Sequence, residues 1–338
     1  MTIRIAVDGM GGDNAPGDIV KGTVDGARRY GVDIVLVGPQ NVMQRELAKH
    51  DTSGLKIDIV HTDEYLVEGE HPAYALRKKR KASIVVATKL VKSGDADAVA
   101  SAGPTGGVVA SALQFLGAVE GISRPVVGGA FLGFTPNMLM MDMGGNVDCK
   151  PHQFLDFAIV GTVYARKMLG IENPTVALLS IGAEEGKGNA VVQESYPIFK
   201  KSGLNFIGQV EGYDIPLGKA NVIICDGFVG NIIVKFGESL GKLIAGYLEN
   251  KLKGKLPDAD IKEITDYMVH ATNAADVRGG GPLWAIDGVA CVAHGRAIAT
   301  EFALVIEQAK IAVEKDIVGS LKSELIEVRS KIGDEVYK

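Results

Sequence analysis

Apolar runs that end in glycine recur along the chain, and each is followed by a stretch whose apolar residues return every three or four positions. The runs cover 3–10, 33–38, 98–103, 138–144, 175–182 and 222–227. Between them, 83–92, 108–116, 154–169 and 191–200 carry the helical period. Alternation of strand and helix is the mark of α/β architecture. Several runs are apolar at nearly every position, as strands covered by helices on both faces are. The pattern predicts a three-layer αβα sandwich around a large, mostly parallel sheet.

The second half departs from this rhythm. A helical stretch over about 231–250, a Lys/Gly/Pro connection at 251–257 and a further helical pattern near 261–271 predict a helical hairpin. It reads as an insertion over about 231–275 in a single domain spanning 1–338. Leu240, Leu243, Ile244, Tyr247, Leu248 and Leu252 line one side of its first arm. Such a stripe serves a core, a dimer interface or a lipid contact, and the dimer interface is the leading reading. A helix-rich tail over 296–332 closes the pattern, with no low-complexity linker to separate independent domains.

Composition narrows the class. A chain of 338 residues buries roughly three quarters of the surface its unfolded form exposes. Its 46% hydrophobic and 23% charged residues exclude a disordered or fibrous protein. A formal charge of −5 argues against a nucleic-acid partner, which needs a basic face. The cysteines, Cys149, Cys225 and Cys291, show no C-x-x-C spacing; neither a disulfide framework nor a zinc site is expected, and the compartment reads as reducing cytoplasm. The first residues form a strand-like run rather than a secretory signal. The uncharged stretch 98–119 invites a membrane span, but its turn at 101–107 leaves only about a dozen apolar residues, too few for a spanning helix.

The 43 glycines show no collagen period and collect at strand ends. The loops 8–13, 101–107, 142–148, 182–189 and 226–231 each follow an apolar strand. In open α/β sheets ligands bind beyond the carboxyl ends of strands, where backbone N–H groups and helix N-termini are exposed. One glycine loop is ordinary turn chemistry; several together favour a site for phosphate or another oxyanion. Asp8, Gly11, Gly12 and Asp13 belong to the first loop, and Ser101, Gly103, Thr105 and Gly106 to the second. The dinucleotide fingerprint fails, because Asn14 stands at its third glycine. The loop 182–188 is one residue short of a P-loop and lacks its Ser or Thr.

Single residues in these loops have two readings each. Lys187 either reaches a phosphate or developing oxyanion, or is simply solvated. Asn231 either donates to an oxyanion or caps a helix. His294, at the end of a strand-like run, is an acid, base or donor, or else a structural histidine. Asp8, Asp13, Asp142, Asp148 and Asp226 invite a metal, yet no ligand spacing accompanies them, and no metal is expected. No G-x-S-x-G elbow is present. The run Arg77-Lys78-Lys79-Arg80-Lys81 is either a solvated helix start or a surface that attracts an acidic partner.

Taken in order, the motifs resemble the bacterial phosphate acyltransferase family (PlsX). They are Val7 to Asp13 with Ala15-Pro16, the basic run followed by Ser83, Ser101-Ala102-Gly103 with Thr105-Gly106, and Asp142 to Pro151. Then come Lys187-Gly188-Asn189, Asp226-Gly227-Phe228 with Gly230-Asn231, Gly280 to Leu283 and Ala293-His294-Gly295. The resemblance spans nearly the whole chain. It implies conversion of acyl-acyl carrier protein and inorganic phosphate to acyl phosphate for phospholipid synthesis, on a fold like that of the isocitrate and isopropylmalate dehydrogenases. It further implies no redox cofactor, a homodimer and peripheral association with the membrane. Lys187 and Asn231 become the expected catalytic pair. Asn146, Asp148, Lys150, Gly188, Asn189, Asp226, Gly227, Gly230 and His294 join the first two loops as expected substrate contacts. The chain has Gly9 where the family usually has Ala, and Pro104 where it has Asn. Proline removes a backbone donor, so contacts from that loop are expected from Ser101, Thr105 or Gly106.

Overall fold

The computed structural model describes residues 2–273 and 279–333. The chain divides into two compact units, Met1–Glu120 with Arg278–Gly319, and Gly121–Val277 with Ser320–Lys338.

The first unit is built on a six-stranded sheet. Its strands are β1 (Arg4–Asp8), β2 (Asp33–Gly38), β3 (Ile57–His61), β4 (Ala98–Ser101), β10 (Gly280–Pro282) and β11 (Val289–Ala293). They run in the order β10-β11-β4-β1-β2-β3, parallel except for β10. Ala6, Val35, Val37 and Val99 join one apolar core with Leu76, Ile84, Val85, Val108 and Ala112. The last five come from α3 (Pro72–Lys78), α4 (Ser83–Ser93) and α5 (Thr105–Phe115). The alternate positions Ile5, Val7, Ile34 and Leu36 are equally buried, so both faces are covered, as all-parallel strands require. Helices α1 (Gly17–Tyr30) and α10 (Ala299–Glu314) pack on one another, and α10 also packs on β4, β10 and β11.

The second unit has a five-stranded sheet of β5 (Gly128–Gly129), β6 (Leu139–Met141), β7 (Val176–Leu179), β8 (Phe206–Val210) and β9 (Val222–Ile224). The order is β5-β6-β9-β7-β8, with only β5 antiparallel. Helix α6 (Pro151–Met168) is buried from Gln153 to Ala165 because it lies on β6 and β9 and against α7 (Ala190–Lys201). Gly161 lets it approach Val222 and Met141. On the opposite phase, Met140, Ala177 and Ile223 form a core with Phe131, Met138, Ile215 and Val234. Val234 belongs to α8 (Gly227–Leu252).

The α/β class and the mostly parallel strands are as the hydrophobic pattern predicts. The strands are nevertheless divided between two sheets instead of filling one large one. Burial on both faces dictates an apolar run in either arrangement, so the run cannot say which neighbour it pairs with. The hairpin is present: α8 leads through 253–257 into α9 (Asp258–Thr272), while positions 274 and 275 of the expected insertion lie outside the described residues. Gly241 and Ala245 are buried in the hairpin, with Gly241 against Thr272, whereas Leu240, Leu243 and Tyr247 stand exposed. The basic run falls at the end of α3 and in the turn before α4, not at a helix start. Among the described residues no helix is long and apolar enough to cross a membrane.

Candidate active site

In the second unit, β6, β9 and β7 are parallel neighbours, so the loops that follow them leave the same edge of the sheet. Asp142 follows β6 in a left-handed conformation, φ 39°, which a non-glycine residue adopts only when its surroundings hold it. Its Oδ1 accepts from the N–H groups of Gly144 (3.1 Å) and Gly145 (2.6 Å), and its Oδ2 accepts from Asn146 Nδ2 (2.8 Å). Burial raises the Asp142 carboxyl above its ordinary value, against the opposing pull of these donors. Asn146 in turn accepts from Gly227 N–H through its carbonyl (2.7 Å). The turn is thereby pinned to the start of α8.

Asp226 caps α8, its Oδ1 accepting from Val229 N–H (2.8 Å), and Asn189 caps α7 by accepting from Val192 N–H (3.1 Å). Gly230 admits the Asp142 carbonyl, which a β-carbon at that position would meet at 1.9 Å. Asn231 is exposed one residue later and donates a long hydrogen bond to Met143 O (3.4 Å). Its second amide hydrogen and its Oδ1 have no partner among the described residues. Lys187 is exposed in the loop after β7, its stem over Gly182, and its carbonyl accepts from Gln209. Asp148 and Lys150 are exposed in the loop after β6. A cleft of about 290 Å³ opens where the β7 and β9 loops meet, lined by Ser180, Gly188, Asn189, Asp226 and apolar neighbours.

In the first unit, β11, β4 and β1 are likewise parallel neighbours. Ser101, fully buried, donates to Asp8 Oδ2 (2.7 Å) and accepts from Gly103 N–H (2.9 Å). A β-carbon on Gly11 would lie 2.6 Å from both Asp8 Oδ2 and the Gly103 nitrogen, so only glycine fits. Burial raises the Asp8 carboxyl, with the Ser101 hydroxyl and the Met10 and Gly11 amides acting the other way. Asp13 N–H donates to Gly295 O (2.7 Å). The Pro104 carbonyl accepts from Gly107 and Val108, the first closed turn of α5, while Thr105 and Gly106 stand exposed ahead of it. His294 is exposed at the end of β11. A second cleft, of about 270 Å³, is lined by Gly12, Asp13, Tyr65, Glu68, Pro104 and Gly295.

Residues 3–319 match a family described as "Fatty acid synthesis protein". The phosphate acyltransferase of Desulforamulus reducens is 42% identical over 327 residues, 96% of this chain and 97% of that protein. The phosphate acyltransferase of Pelotomaculum thermopropionicum is 40% identical over 345 residues, 99% of each. The chain belongs to the phosphate acyltransferase family. It is accordingly an acyl-transferring enzyme. A crystal structure of a phosphotransacetylase from Streptococcus pyogenes covers 93% of the chain and 94% of its own, with a TM-score of 0.62 and 18% identity, and so shares the fold.

Within this family member, the expected contacts fall into two sets. Asn146, Asp148, Lys150, Lys187, Gly188, Asn189, Asp226, Gly227, Gly230 and Asn231 share the carboxyl edge of the second sheet. Asp8, Gly11, Gly12, Asp13, Ser101, Gly103, Thr105, Gly106 and His294 share that of the first. The sequence reading weighs Asp142 only as a metal ligand and gives it no other role, although its carboxylate organises the whole β6 turn. It also passed over Ser180, whose Oγ is buried without a partner among the described residues. The Asp-Met-Gly-Gly-Asn spelling was the available signal for Asp142; Ser180 left none. Among the described residues no three His, Cys, Asp or Glu side chains group as a metal site would need.

Proposed function

We propose that this enzyme transfers an acyl group from the thioester of acyl carrier protein to inorganic phosphate, by direct attack of phosphate on the carbonyl, for phospholipid synthesis. The observation that supports this reading is the placement of Lys187 and Asn231 on neighbouring loops. Two exposed donor side chains, with no ion-pair partner for the lysine among the described residues and one long hydrogen bond for the asparagine, stand on loops from adjacent parallel strands. The ammonium neutralises phosphate or the tetrahedral oxyanion, and the amide donates to it. Phosphate is already partly dianionic at neutral pH, so the protein's task is chiefly to hold it in line, which is worth about 7–11 kcal/mol in well-oriented systems.

A covalent acyl-enzyme is not needed, and the thiol that lines the cleft is unsuited to one. Cys225 lines the cleft but is buried and donates to the Asp142 carbonyl (3.4 Å). Burial, with Asp226 and Asp142 nearby, holds its thiol well above the ordinary range, and only the thiolate is nucleophilic. The lesser turns of the first unit are assigned to substrate binding through the N–H groups of Gly12, Thr105 and Gly106, with Asp8 and Ser101 holding their shape.

The basic run supports an acidic carrier as partner. Arg77, Lys78, Arg80 and Lys81 are exposed, while Lys79 pairs with Glu70 (2.7 Å). Pro72 and Leu66 touch Gly106 and Gly107 in the first turn of α5, so this segment sits beside the carboxyl edge of the first sheet. On the hairpin, exposed Phe236, Leu240, Leu243 and Tyr247 recur at helical spacing. They support a homodimer, with peripheral contact at the inner face of the membrane as the second use of the same stripe. Purified protein incubated with labelled phosphate and either acyl carrier protein thioester or acyl-coenzyme A tests the central reading. Acyl phosphate formed preferentially from the carrier supports it. Formation from coenzyme A alone makes the enzyme phosphotransacetylase-like, and no product from either rejects the reaction.

A further inference from the structure

We propose that the 290 Å³ cleft of the second unit is the acyl-chain site, and that its walls set the chain length the enzyme favours. This inference rests on the proposed reaction. The cleft is bounded by Leu179 and Ile181 at the end of β7, Val192 of α7, Val229 and Ile233 of α8, and Phe154 of α6. Its polar side chains are largely committed elsewhere: Asn189 and Asp226 spend an oxygen each on a helix cap, and Cys225 donates to main-chain carbonyls. What remains is an apolar slot that water fills poorly and hydrocarbon fills well.

Its position suits an acyl thioester. The slot shares Gly188, Asn189 and Asp226 with the loops that present Lys187 and Asn231, so a chain lying in it brings its carbonyl toward those donors. The Ser180 hydroxyl is buried in the wall without a partner among the described residues. Gly188 keeps it open, since a β-carbon there would lie 2.9 Å from Ser180 Oγ and 2.7 Å from Val192 Cγ1. A slot of about 290 Å³ with fixed walls accepts a chain only up to a limiting length.

The test measures the intact enzyme in two ways. Fatty acids of increasing length compete against a fluorescent polyene fatty acid, and acyl carrier protein thioesters of the same lengths are compared in kcat/KM. Binding should strengthen about fourfold per methylene and level off once the slot is full. Val229→Phe, which fills the slot, should lower the ratio of long-chain to short-chain kcat/KM at least tenfold, and Leu179→Ala should raise it. If Val229→Phe loses turnover or folds poorly, the competition assay on Leu179→Ala decides alone. Length-independent binding in the wild type, or an unchanged ratio in both variants that still turn over, overturns the acyl slot and leaves the phosphorolysis reading intact. Absence of acyl phosphate from wild-type enzyme with any chain, alongside length-dependent fatty acid binding, overturns the reaction and leaves the slot.

Discussion

Gly230→Ala is the sharpest probe of how the edge of the second sheet is held together. The added methyl would sit 1.9 Å from the Asp142 carbonyl and 3.1 Å from Cys225 Sγ, where ordinary contact begins near 3.4 Å. Relief requires about 1.5 Å of separation, and the Asp142 carbonyl is backbone in a turn fixed by its own carboxylate. The first turn of α8 must give way and take Asn231 with it, straining the Gly227 N–H to Asn146 O hydrogen bond. Overpacking of this kind costs about 1–3 kcal/mol, which for a unit of this size lowers Tm by about 2–4 °C per kcal/mol. Displacing a catalytic donor by about 1 Å costs on the order of 100-fold in rate. Differential scanning calorimetry and labelled-phosphate turnover should show both losses. Gly237→Ala on the same helix, with no heavy atom within 4 Å of the new methyl, should be neutral or gain up to about 1 kcal/mol. A Gly230→Ala enzyme with wild-type Tm and turnover would show that the tight approach of α8 to the β6 turn does not position Asn231.

Other outcomes follow from the buried carboxyls and thiols. Burial raises the Asp8 carboxyl in the folded protein, so the native state holds that proton more tightly than the unfolded chain, and stability falls as pH rises from the ordinary carboxyl range through the folded value. Urea midpoints of wild type minus Asp8→Asn should therefore decline with pH across that window; a constant or rising difference contradicts the assignment. The Cys149 thiol is pushed up to about 12 by burial, then by Asp142 and Asp226. At pH 8 about one molecule in ten thousand then carries the thiolate, so iodoacetamide should label native Cys149 at least about 100-fold more slowly than the denatured chain, and equal rates would refute it.

The hydrophobic pattern located the strands that are buried on both faces and passed over those that are not. β1, β2, β4, β6, β7 and β9 stand out because nearly every position is apolar and covered. β3 and β8 are edge strands with exposed Asp58, His61 and Ile207 among their residues, and such mixed segments resemble loops in a sequence. Division into two sheets was illegible for a related reason: Leu139 and Val99 are equally buried, and nothing local says that one pairs with Val222 and the other with Ala6. The glycine loops were legible as a class, since strand-to-helix turns demand them. The work of each was not, because Ser101 meets Asp8 only across 93 positions of chain, and Asp142 acts through a left-handed turn that the spelling alone does not give. The Pro104 departure is also explained by placement: it stands immediately before α5, where a missing N–H leaves no helical hydrogen bond unmade.

The most direct measurement is the turnover of Lys187→Ala and Asn231→Ala with acyl carrier protein thioester and labelled phosphate, with folding verified by circular dichroism and Tm. Removal of one oxyanion donor costs about 2.7–4 kcal/mol, so each variant should lose about 100- to 1,000-fold in kcat while its fold is retained. Turnover near that of wild type in either folded variant would contradict the account.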